Sequence, residues 1–359
     1  MSDNMINESQ LKNAIDAYPD PETGRGLVRT NQLQDLRIDG SNVDLKIGLS
    51  TFSAPLKEVV REDLMKHLRE SIEGLGEISI EFSTFDRPAE KKGEFGLRIK
   101  KIVAVGSGKG GVGKSTVSVL TALALAESGA KVGLLDADLQ GPSVPHLLGA
   151  IDSPHIENDK LIPLEQNGLR VLSMGMLMNP DQAVMWRGPR LHSALTQFFR
   201  DTEWGELDYL IVDMPPGTGD IPISLIQLVP LSGAVVVCTP QPVALIDAVR
   251  AITMFNHSEV PVLGIVENMS RFDCPDCGSS HEIFGTGGAV AKAREFGLPL
   301  LGELPINIAM RAAGDQGLLP DLLQDETCRP AILELGRNLA QVFADKSREN
   351  PSMPELTIL

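Results

Sequence analysis

Residues 102–127, IVAVGSGKGGVGKSTVSVLTALALAE, decide the fold. An apolar run typical of a buried strand enters a glycine-rich turn, and a helical stretch leaves it. Gly108 to Ser115 fits the pattern G-x-x-x-x-G-K-[ST]. Glycines let successive backbone N–H groups turn toward one point, and the N-terminus of the following helix adds partial positive charge there. The result is a cradle for phosphate made of Gly108, Lys109, Gly110, Gly111, Val112, Gly113, Lys114, Ser115 and Thr116. Lys114 is expected to reach the β- and γ-phosphates, the Ser115 hydroxyl to ligate Mg²⁺, and Thr116 to bond the α-phosphate of ATP.

Outward from this loop the same grammar repeats. KVGLLD, YLIVD, AVVVC and PVLGIVEN are continuous apolar runs separated by helical stretches. Strands apolar on both faces that alternate with helices indicate a mostly parallel sheet flanked by helices, an α/β P-loop fold. Ligands in such sheets bind beyond the carboxyl ends of the strands. Two strands end there in carboxylates: Asp136 with Asp138, and Asp213, the candidate Walker-B residue for Mg²⁺. Gly217, in PPGTGD, is placed to offer its N–H to a γ-phosphate. Lys109 follows the first glycine and cannot easily bend back into its own phosphate site. Across a dimer it would enter the partner's site, as an arginine finger does.

Residues 1–83 read as a small α+β domain: a helix with Leu11, Ile15 and Tyr18 on one face, a hairpin turning at Asp39-Gly40, an amphipathic helix over 55–73 and a last strand. Residues 84–98 are charged, contain Pro and Gly, and read as a linker; 99–345 form the ATPase domain and 346–359 a flexible tail.

Composition narrows the function. Lys+Arg 32 against Asp+Glu 48 gives a net charge of −16, which repels nucleic acid and anionic lipid. With 11 Phe, 2 Trp and 2 Tyr in 359 residues there is little for a base-stacking platform. No apolar run is long enough to span a bilayer and the first residues carry no secretory pattern, so the cytoplasm is the expected compartment. Four cysteines are too few for a disulfide scaffold. Cys238 and Cys328 read as structural. Cys274 and Cys277 are a C-x-x-C in a Pro/Gly loop, half of a four-coordinate site. A two-fold dimer supplies four thiolates, enough for one [4Fe–4S] cluster or one Zn²⁺ between copies; His281 is near enough to add to a zinc set. A thioredoxin-like redox pair is the third reading.

GKGGVGKST resembles the deviant Walker A motif of the MinD/ParA/nitrogenase-iron-protein ATPases, over residues ~100–345. Within that group DADLQGPSVPHLLG (136–149), MWRGP (185–189), DMPPGTGD (213–220) and VENMSRFDCPDCG (266–278) resemble the Mrp/ApbC-type iron–sulfur cluster carriers. Residues ~8–83 resemble the PaaD-like domain often fused ahead of them, with Ala54 where that domain commonly has cysteine. The resemblance implies a homodimeric, slow, switch-like ATP hydrolase. It would take a [4Fe–4S] cluster from an upstream donor, bridge it on Cys274 and Cys277 of each copy, and pass it to apo iron–sulfur proteins, without nucleic acid or membrane. By the same resemblance Lys109, Lys114 and Asp138 are catalytic, Asp138 lying beside the attacking water. Magnesium falls to Ser115, Asp136, Asp138 and Asp213, adenine to Asn268, and a dimer- or cluster-side contact to Trp186–Pro189. A MinD/ParA-like positioning ATPase and a zinc-stapled P-loop scaffold are the rival readings.

Overall fold

The first helix begins where the sequence offers a cap. The Asn7 side chain accepts from the N–H groups of Ser9 and Gln10, and α1 (Glu8–Ala17) follows. Leu11, Ile15 and Tyr18 are all buried by it. The computed structural model describes residues 6–138, 141–150, 152–177 and 196–352. The chain divides into two units, Met1–Arg87 with Ala340–Leu359, and Pro88–Leu339.

In the first unit, β1 (Leu33–Asp39) and β2 (Asn42–Ser50) make the antiparallel hairpin, and β3 (Ile78–Phe85) joins β2 in parallel. A short 3₁₀ helix, Thr51–Leu56, precedes α2 (Lys57–Ser71), whose Val60, Leu64 and Leu68 recur at helical spacing and close the core. One charge is buried here and fully partnered. Asp20 accepts from the N–H and hydroxyl of Thr23, from Gln32 Nε2, and from Arg87 at 2.8 Å. The unit contains no cysteine; Ala54 lies in the 3₁₀ helix beside the buried Ser53.

The second unit is a nine-stranded sheet. Its main members are β4 (Ile99–Gly106), β5 (Val132–Asp136), β9 (Leu169–Ser173), β10 (Leu207–Asp213), β11 (Gly233–Cys238), β12 (Val262–Asp273) and β14 (Leu300–Ile306). All seven run parallel, with β4 at the centre between β10 and β11. Short β8 (Leu164–Gln166) and β13 (Ser280–His281) add antiparallel to β9 and β12 at the two ends, and β6 (His155–Glu157) pairs β7 (Lys160–Ile162) outside the sheet. The helices are α3 (Lys114–Glu127), α4 (Val144–Leu147), α5 (Asp220–Leu228), α6 (Pro242–His257), α7 (Gly288–Phe296), α8 (Ile308–Gln316) and α9 (Arg329–Glu349). Strands β5, β10 and β11 are buried at every position, which is why they read as unbroken apolar runs. Among the described residues no helix is long and apolar enough to cross a membrane.

Two boundaries differ from the sequence expectation. Strand β3 runs through Phe85, because Gly48–Ser50 of β2 continue to pair with Ser83–Phe85. Helix α9 runs to Glu349, beyond residue 345, because Ala340 and Ala344 are buried in the first unit's core and the Ser347 hydroxyl donates to the Glu22 carbonyl. Residues 353–359 of the expected tail lie outside the described residues, as does Trp186–Pro189.

Helix α9 approaches the back of α3 at Gly336, where an added Cβ would stand 2.9 Å from Ala124 Cβ and 3.2 Å from its carbonyl carbon. Backbone cannot yield as a side chain can, so Gly336→Val should destabilise the protein by about 1–3 kcal/mol. A lowered midpoint in chemical denaturation checks this.

Candidate functional site

Strand β4 delivers the glycine loop, and two of its glycines are required by contact. At Gly113 φ is +80°, and an added Cβ would lie 2.1 Å from Asn268 Nδ2. At Gly108 it would lie 1.9 Å from the Asp247 carbonyl of α6. The loop is thereby pressed between β12 and α6. Ser107 donates its hydroxyl to the Lys109 carbonyl, and half-buried Lys109 lies in the turn between.

Asp213 organises the floor of the loop. It is fully buried at the end of β10, in register with Val105 of β4 and Asp136 of β5. Its Oδ1 accepts from Lys114 Nζ at 2.7 Å and from the Ser118 hydroxyl at 2.7 Å; its Oδ2 accepts from the Ser115 hydroxyl at 2.6 Å. Lys114 Nζ also lies 3.2 Å from Ser115 Oγ. Lysine, serine and Walker-B carboxylate thus converge at the first turn of α3, where the helix end favours anions. Ser115 Oγ and Asp213 Oδ2 are adjacent hard oxygen donors, a pairing that fits Mg²⁺, held directly or through water beside the phosphates.

Asp136 is different. Its Oδ2 accepts from Ser143 N, Val144 N and Ser173 Oγ, and its Oδ1 from Asp138 N. Those donors fasten Asp138, Ser143, Val144 and Ser173 to the end of β5, so four hydrogen bonds already engage the Asp136 carboxylate. Burial, with the Asp213 charge, pushes its pKa up to about 7. Asp138 is buried, accepts from Gly141 N, and borders a cleft lined by Pro215, Pro216, Gly219 and Asp220. The Gly217 N–H donates to the Ser107 carbonyl at 3.0 Å.

Asn268 is buried, and its Nδ2 donates to the Val112 carbonyl at 2.8 Å. Its amide therefore holds the glycine loop, a contact no spacing rule reveals. The same strand, β12, continues to the cysteines. Phe272 and Asp273 pair with His281 and Ser280, Cys274 N donates to Ser279 O, and Gly278 N returns to the Cys274 carbonyl. Gly278, at φ +69°, makes that tight turn possible. Cys274 is half-buried and Cys277 exposed. Hydrogen bonding from Ser279 and then from Cys274 holds the Cys277 thiol below its ordinary range, favouring the thiolate that binds metal. Among the described residues no three His, Cys, Asp or Glu side chains gather to hold a metal. Cys238 and Cys328 are buried; burial pushes the Cys238 thiol up to about 12 and raises that of Cys328.

Known proteins resemble the chain over most of its length. A family model described as the NUBPL iron-transfer P-loop NTPase matches residues 98–339, and one described as an iron–sulfur cluster assembly protein matches residues 8–82. An iron–sulfur cluster carrier protein of Deinococcus radiodurans is 45% identical over 338 residues, 93% of this chain and 95% of that protein. The iron–sulfur cluster transfer protein NUBPL of Dictyostelium discoideum is 45% identical over 260 residues, 70% of this chain and 80% of its own. Among solved structures, a nucleotide-binding protein in complex with ADP from Archaeoglobus fulgidus is 40% identical with a TM-score of 0.56, covering 62% of this chain and 88% of that one. The cell division ATPase MinD of Pyrococcus furiosus, 22% identical with a TM-score of 0.52 over 67% of this chain and 99% of its own, shares the fold.

The native state holds the Asp136 proton above the unfolded carboxylate value of about 4. Its contribution to stability is therefore full at low pH and lost as pH rises from about 4 to about 7. Without nucleotide or metal, the difference in Tm between the wild type and Asp136→Asn should favour the wild type more at pH 5 than at pH 8. Thermal melts at the two pH values check the sign.

Proposed function

The chain belongs to the NUBPL iron-transfer P-loop NTPase family, and from that membership we propose that it is a slow, switch-like ATP hydrolase. In this reading it carries a [4Fe–4S] cluster between two copies of itself, on Cys274 and Cys277 of each, and delivers it to apo iron–sulfur proteins. The observation that carries the reading is the course of β12. One strand holds the glycine loop through Asn268 and, six residues on, enters the hairpin that presents the two thiols. Two thiolates are half of a cluster's ligands, so a second copy completes the site.

In this reading each group of the site has a role. The loop N–H groups, the α3 N-terminus and Lys114 bind the ATP phosphates, and Lys114 leaves Asp213 for the phosphates when they arrive. Magnesium, when bound at Ser115 and Asp213, would offset phosphate charge. Asp138, whose N–H donates to Asp136, orients the attacking water. Lys109 reaches across the dimer to the partner's phosphates and meets the charge that develops as the terminal phosphoryl group departs. Asn268 keeps one amide hydrogen on Val112 and has its carbonyl oxygen to spare for an adenine amino group. The first unit, without a cysteine, serves to dock recipients and not to hold iron. The bridging cluster is handed over when recipient thiolates replace those of the hairpin.

Anaerobic reconstitution of Cys274→Ala/Cys277→Ala should abolish the bound iron and the visible absorption while ATP still binds; full retention of iron contradicts the site. Lys109→Ala should lower kcat for ATP hydrolysis by about 10³-fold or more if it acts as a finger. An unchanged steady-state rate contradicts that role.

A further inference from the structure

Glu267 is a buried carboxyl that nucleotide binding and hydrolysis leave unused. It sits on β12 immediately before Asn268, is 1% exposed, and lies between Cys238 of β11 and Glu303 of β14 in the sheet register. Its Oε2 accepts from the N–H of Ala289 at 2.9 Å, in the first turn of α7. Consecutive residues on a strand point to opposite faces. Asn268 therefore takes hold of the glycine loop on one face, and Glu267 takes hold of α7 on the other.

The place of α7 gives this significance. The cysteine segment leaves β12 at Asp273, forms the thiol hairpin, and ends where α7 begins at Gly288. Its entry is β12 itself, and its exit is fixed by Glu267. Ala289 and Ala293 are buried in the same core cluster as Ile265, two residues before Glu267 on the same face. Beyond Asn268 the strand changes character. Met269 is left-handed at φ +58°, the register with β14 shifts between Asn268 and Phe272, and the Ser270 hydroxyl fills the gap by donating to the Leu304 carbonyl. A bulge of this kind leaves a residue unpaired and bends the strand at that point.

We propose that Glu267 and Asn268 form the mechanical link between the nucleotide loop and the thiols, with Glu267 as the positioning residue of the cysteine segment. The proposal rests on the cluster-carrier reading and adds the element that couples its two sites. When phosphates draw the Val112–Gly113 backbone inward, Asn268 follows, β12 shifts at its end, and Glu267 carries the exit of the cysteine segment with it through Ala289.

The test uses the full chain loaded with cluster, an Fe(II) chelator as iron acceptor, and a non-hydrolysable ATP analogue. In the wild type the analogue should change the rate of iron loss by about fivefold or more. Glu267→Asp keeps the charge and withdraws the oxygen from Ala289; the response should fall to a ratio of about one. Glu267→Gln keeps an acceptor in place and should respond as the wild type does. A merely structural role would lower Tm without removing the response. An aspartate variant with the full response overturns the proposal, as does a glutamine variant that loses the response while the aspartate variant keeps it. A wild type that binds no iron at the thiols fails the carrier reading instead. Amide exchange at Ala289 in the wild type is the second measurement. The analogue should alter it by about fivefold or more, and unchanged exchange overturns the link even where a variant does not fold.

Discussion

The Lys114–Asp213 ion pair is the constraint on which the site depends. Both groups are almost wholly removed from water, 6% and 0% exposed, and each would cost several kcal/mol to bury alone. They are tolerated because Asp213 also accepts from Ser115 and Ser118, so its lone pairs are satisfied on the side facing α3. Without nucleotide, the pair holds the ends of β10 and α3 to one another and gathers Lys114, Ser115 and the α3 N-terminus at one point. Removing either partner leaves a buried charge uncompensated, the more damaging way to break such a pair.

The consequences spread through neighbouring strands. The negative charge of Asp213 is one reason the Asp136 carboxyl is held protonated to higher pH, and Asp136 in turn organises the loop carrying Asp138. On the other side of β4 the glycine loop is kept in place by Asn268 of β12 and by close approach to Asp247 of α6. Strand β12 thus joins the phosphate cradle to an exposed thiol hairpin, with a register shift between them.

Much of this was legible in the chain. The glycine loop, the carboxylates at strand ends and the C-x-x-C hairpin all depend on local chemistry: a turn that needs glycine, a strand whose end is fixed by its apolar run, thiols two residues apart. The parallel sheet was legible for a related reason, because strands buried on both faces cannot hide their composition. What escaped was set by contacts distant in sequence. The Gly217 N–H is used by Ser107, and the Asp136 oxygens by Ser143, Val144 and Ser173, and no spacing announces either. Three-residue strands such as β8 carry too few positions for alternation to show. Helix α9 runs on because Ala340 and Ala344 meet a core formed by residues near the other end of the chain. Glu267 reads as an ordinary strand-end acid until its partner at Ala289 is seen.

The central claim is that two chains share one iron–sulfur cluster through two thiols each. Iron and acid-labile sulfide per chain, measured on anaerobically purified protein together with the mass of the assembly, test it most directly. The account predicts a dimer with about two iron and two sulfide per chain, one [4Fe–4S] cluster for each pair. Stoichiometric zinc without iron, or full cluster occupancy in a monomer, would contradict it.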